Sequence, residues 1–142
     1  MGTWAAKVFE DDTALDFLEE QLIPPADPRL VMRKAFEAAL AATYLDYDAG
    51  QAVLASAAVI IAARNGQPLD DDETAARIAW REKLAGLDFS ALLEIGSKAC
   101  LRVCAKSSEL RELWEEDGDL LTAWEGNVQT LADRLKHIGS DQ

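Results

Sequence analysis

Between Ala52 and Ala63 every residue except Ser56 is apolar. A stretch like this, wound into a helix, has no polar stripe to turn toward water, so it belongs at the centre of a fold with other helices around it. It falls well short of the roughly 20 apolar residues that span a bilayer. The spacing therefore predicts a buried core helix from Gln51 to Arg64, ended by Asn65-Gly66, a pair that readily takes the left-handed conformation of a helix C-cap. With 142 residues and 49% hydrophobic content, the chain suits one ordinary domain over 1–142, burying about two thirds of its unfolded surface without help from a disulfide or metal.

The surrounding helices are signalled by their caps and stops. Asp11 or Asp12 caps a short helix through Leu15, Leu18 and Leu22, and Pro24-Pro25 halts it. Asp27-Pro28 starts the next, predicted from Pro28 to Leu45, because Asp accepts an orphan N–H and Pro has none to leave unpaired. Asp46 to Gly50 reads as a loop. The run Asp70-Asp71-Asp72-Glu73 places negative charge at the start of a fourth helix bearing Ala76, Trp80 and Leu84, closed by Gly86. Asp88 caps a fifth, whose apolar stripe runs from Phe89 through Leu92, Leu93, Ala99, Cys100 and Val103 to Cys104 and includes Gly96. Ser107 or Ser108 caps a short helix with Leu110, Leu113 and Trp114, stopped by Gly118. In the last helix Leu121, Trp124, Val128, Leu131, Leu135 and Ile138 alternate steps of three and four, a seam that must lie against other helices. No segment alternates with the period of a strand and no repeat is present, so the expected fold is all-α, a single-domain irregular bundle of about six or seven helices.

The chain start is expected to dock on this bundle. Trp4 and Phe9 are costly to leave in water, and burying them presents Glu10, Asp11, Asp12 and Asp16 at a fixed place beside the core. On this reading Trp4→Ala costs about 3 to 5 kcal/mol, whereas truncating an exposed tail costs almost nothing.

The chemistry-bearing residues are few. Cys100 and Cys104 share a helix face, a spacing that could supply two metal ligands, but no second pair completes a site and the apolar stripe accounts for both as small core residues. His137 is the one histidine, and its place in the last turn of the last helix suits a cation at the negative end of the dipole. A single histidine cannot supply the paired Glu-x-x-His motifs of a bundle di-metal site. No P-loop or dinucleotide fingerprint occurs, so no cofactor is expected. The acids around Gly118 lack the calcium-loop order, since Trp124 stands where the bidentate Glu would be needed. The four tryptophans, at 4, 80, 114 and 124, could build a stacking pocket, but each fits an apolar helical or docking position, and core packing is the expectation.

The net charge of −12 repels phosphate backbones, which excludes direct nucleic-acid binding, and it attracts basic surfaces. The opening lacks a basic start followed by a continuous apolar run, so no secretory signal is read and the expected location is cytoplasmic.

Two stretches carry a family resemblance. The opening, with Met1-Gly2-Thr3-Trp4 and then Phe9-Glu10-Asp11-Asp12, resembles the Met-Gly-Ala-Trp-Gly and Phe-Glu-Asn-Asp-Asp-Ala start of a bacterial family catalogued as domain of unknown function 4259. The later stretch, Ser108 to Glu116, is similar to that family's Ser-Glu-Leu-Arg-Glu-Leu-Trp-Glu-Glu segment. The chain departs from the family pattern at Ala5 and Ala6, where Gly is usual, and at Asp11, where Asn is. The resemblance implies a cytosolic bacterial protein and carries no catalytic residue, cofactor or substrate.

Three functions follow as expectations. The first is a non-enzymatic acidic binding module for a basic protein partner, one concrete form being an immunity-type protein that covers a toxin's basic active site. The second is an enzyme or sensor using a divalent metal held by Glu10, Asp11, Asp12 and Asp16. The third is a self-associating structural helical protein built on the seam of the last helix.

Overall fold

The computed structural model describes residues 8–69 and 73–140. Its elements are α1 (Asp12–Phe17), which runs directly into a π-helical turn (Leu18–Leu22), then α2 (Arg29–Ala41), α3 (Tyr47–Asn65), α4 (Ala75–Leu84), α5 (Ser90–Val103), α6 (Glu109–Trp114) and α7 (Gly118–Ser140). The chain is all-α. Among the described residues no helix is long and apolar enough to cross a membrane.

The apolar stretch lies where its composition requires. In α3 every residue from Gly50 to Ala63 is buried, and α1, α2, α5 and α7 all pack against it. Gly66 ends it in the left-handed conformation at φ 66°, with its N–H returned to the Ala62 carbonyl. The largest helix pairing is α5 with α7, and Gly96 makes it possible. A Cβ on Gly96 would lie 3.1 Å from Leu135 Cδ1 and from the Phe36 ring, so three helices meet across a missing side chain.

The helix boundaries correct the sequence reading in several places. The expected loop at Asp46 to Gly50 is the first turn of α3: Asp46 is its N-cap and accepts from the Ala49 N–H at 2.8 Å. Within that helix Gly50 leaves room for Leu110, whose Cδ1 lies 2.7 Å from where a Cβ would stand. Second, α2 ends at Ala41 rather than Leu45. The freed backbone finds partners elsewhere: Leu45 N–H donates to Ser107 O and Glu109 N–H to Leu45 O, each at 2.8 Å, as a small parallel bridge. Arg102 reinforces it by donating to the carbonyls of Ala42, Lys106 and Ser107. Third, Ser108 occupies the N-cap of α6 by backbone geometry alone, and its buried hydroxyl makes no hydrogen bond. Fourth, Gly118 opens α7 instead of stopping α6, with Asp117 Oδ1 accepting from the Asp119 and Leu120 N–H groups.

Asp70, Asp71 and Asp72 lie outside the described residues. Glu73 does not serve the α4 dipole; its carboxylate accepts from Leu69 N–H and pairs with Arg81 at 2.8 Å, and Thr74 caps the helix. Although burial alone would raise its pKa, these partners hold the Glu73 carboxyl below its ordinary value.

Candidate functional site

A groove of about 620 Å³ opens among the residues before α1, the first turns of α3, one face of α6 and α7 from Leu120 to Leu131. Its formation is local in origin. The tight connection between α6 and α7 folds the chain back on itself, which sets Trp114 and Trp124 face to face with ring centroids 6.2 Å apart and planes within 16°. Offset stacking of this kind suits indole quadrupoles. Leu54, Leu110, Val128 and Leu131 make an apolar floor, and Leu113 and Leu120 stand on the edge, each 51% exposed.

One corner of the groove is polar. Asp11 caps α1 with Oδ1, which accepts from Thr13 and Ala14 N–H groups, and its Oδ2 accepts the Tyr47 hydroxyl proton. The bond to Asp11, with burial, raises the pKa of the Tyr47 phenol and keeps it protonated. Gln51, which is buried, lines the groove beside the same phenol. Outside the groove, Tyr44 donates to Glu112 at 2.7 Å, which pushes its pKa up to about 12. The stretch from α6 into α7, which carries both tryptophans, exposes Glu112, Glu115, Glu116, Asp117 and Asp119. Arg111 ties this region down, donating to the Cys104 carbonyl at 2.6 Å and pairing with Glu115 and Glu125.

The other singled-out residues sort as follows. Phe9 is buried with Val8, as the docked start requires, while Trp4 lies outside the described residues. Glu10, Asp12 and Asp16 are exposed, and Asp11 is engaged as a cap. Among the described residues no group of three or more acids, cysteines or histidines is arranged to hold a metal ion. Cys100 and Cys104 are buried and free, and burial raises both thiol pKa values, that of Cys104 to about 12. Their chemistry is therefore that of inert core thiols. His137 donates from Nδ1 to the Asp133 carbonyl at 2.7 Å in the last turns of α7 and faces solvent.

The expectation that the tryptophans serve core packing holds in part for Trp80 and Trp124, both half-buried against the core, and misses that Trp124 also stacks on Trp114. Each fits an apolar helical position taken alone. Their meeting depends on how sharply the chain turns between α6 and α7, and the short Glu115-Glu116-Asp117 connection was the one available signal.

In comparison with known proteins, a family model described as "Domain of unknown function (DUF4259)" aligns with residues 2–127. No curated protein and no solved structure matches the chain. The aligned span takes in both stacked tryptophans and the polar corner of the groove.

Proposed function

The chain belongs to the DUF4259 family, and since that membership assigns no activity, we propose from the groove itself that the protein is a non-enzymatic binding module for a basic protein partner. The observation that carries this reading is an open apolar groove with stacked indoles and the exposed Glu10 carboxylate on its lining, next to further exposed acids on the α6–α7 stretch that bears the indoles. An apolar centre inside a charged rim is the anatomy of a protein-binding surface. The net charge of −12 supplies long-range attraction for a partner of opposite sign and speeds encounter.

The same charge argues against self-association, because two copies meeting groove to groove would bring these acids together. Affinity capture from the source cell at low and moderate salt, followed by reconstitution with the purified captured protein, tests the reading. A basic protein that binds and is released as salt rises is the expected result. If nothing is retained at either salt, or if the retained protein is acidic, the reading is wrong.

A further inference from the structure

Building on the binding-module reading, we infer that the groove is an anchor site for a basic amphipathic segment of the partner. In this arrangement a large apolar side chain lies against Trp114 and Trp124, while a Lys or Arg is directed to Glu10 and Asp11.

Size narrows the occupant first. A volume of about 620 Å³ lies within the range of roughly 300 to 1,000 Å³ that takes a compact ligand or a few side chains, and it cannot swallow a folded domain. A partner therefore enters with a short segment and covers the margin with the rest of its surface.

The lining then sets the chemistry. An indole pair offers a flat apolar face that also attracts cations through its quadrupole. Leu113 and Leu120, half exposed at the edge, are covered only when something apolar spans the opening. The polar corner selects charge. The Asp11 carboxylate is held in place by α1 and by Tyr47, so it presents negative charge without needing to reorganise. Glu10 is exposed on the same lining and makes no hydrogen bond or ion pair among the described residues. An anionic or phosphorylated segment would meet these carboxylates unpaired. A uniformly cationic segment would leave the apolar floor uncovered. Only a segment carrying both features satisfies both parts of the groove.

The experiment measures binding of three synthetic peptides of equal length to the full chain by titration calorimetry. One is an amphipathic Leu/Lys helix former, one replaces each Lys with Glu, and one is oligolysine. The Leu/Lys peptide is expected to bind and to weaken as salt rises, with the other two at least about tenfold weaker. Leu120→Asp, at an exposed position, should cost the Leu/Lys peptide about tenfold or more, and Glu10→Gln a few-fold with a shallower salt dependence. Leu113→Asp repeats the test at a second edge position, and circular dichroism checks that each variant is folded. The inference is overturned if the Leu/Lys peptide does not bind, if oligolysine binds equally well, or if neither Asp substitution weakens binding. Capture of a basic partner that persists in the Leu120→Asp and Leu113→Asp chains would overturn the groove as the site while leaving the binding-module reading intact. Selective peptide binding with no partner captured from the cell would do the reverse.

Discussion

The two halves of α7 are written in the same code and end in different places. From Val128 onward the seam is filled: Val128, Leu131, Ala132 and Leu135 are almost fully buried against α5 and α3. Before it, Leu121 and Trp124 are half-buried and Leu120 is exposed, because the element opposite them is α6, six residues long. A helical stripe is buried only as far as its partner extends. Where the partner is too short, the unused apolar surface becomes a groove, and in this protein that groove collects the aromatic pair.

The strongest way to break this comparison is to truncate one leucine in each half. Leu135→Ala removes a fully buried side chain in contact range of Gly96 and should cost about 2 to 5 kcal/mol, read as a fall in the denaturant midpoint. Leu120→Ala should change stability by no more than about 0.5 kcal/mol. Equal losses at the two positions would mean that the first half of α7 is packed like the second.

Adding volume probes the same contrast from the other side. Gly96→Val forces a branched side chain between Leu135 and the Phe36 ring and should destabilise by about 1 to 3 kcal/mol in chemical denaturation. In the first half, Gly126 has nothing within 4 Å of where a Cβ would stand, so Gly126→Ala should stabilise by about 0.5 to 1 kcal/mol through backbone entropy, seen as a raised Tm. A destabilising Gly126→Ala would reveal a neighbour packed where the structure places open space.

Native-state hydrogen exchange sharpens the comparison without mutation. Amides from Leu121 to Trp124, under few buried contacts, should exchange through local opening well before those from Leu131 to Leu135, which should approach the global unfolding limit. Uniform protection along α7 would remove the distinction between the halves. A small effect is also expected at Glu125, whose ion pair with Arg111 is 3.5 Å long and partly exposed. Glu125→Gln should cost less than about 1 kcal/mol in thermal unfolding.

Much of the fold was legible because its signals are local. The apolar run of α3 dictated a central helix, Gly66 and Asp11 dictated caps, and Gly96 within an apolar stripe marked a close helix approach. The misread boundaries share one cause. Asp46 to Gly50 has a loop-like composition, yet Asp46 caps a helix that runs through Gly50, where the missing side chain leaves room for Leu110 from the distant α6. Leu45 looks like the end of a helix, yet its backbone pairs with Ser107 and Glu109 across the extended Ser108, far away in sequence.

The candidate site was less legible than the fold. The acids Glu10 and Asp11 stood out from the sequence, and they do line the groove, but as its polar corner beside Tyr47 and Gln51. The sequence by itself determined the helical class, the identity of the central helix and the sign of the surface charge, since each depends on composition and on periods of a few residues. Only the tertiary structure decided that Trp114 and Trp124 stack, and that half of a uniform apolar seam stays uncovered. Both outcomes depend on the length and direction of the element opposite, which no residue in the seam encodes.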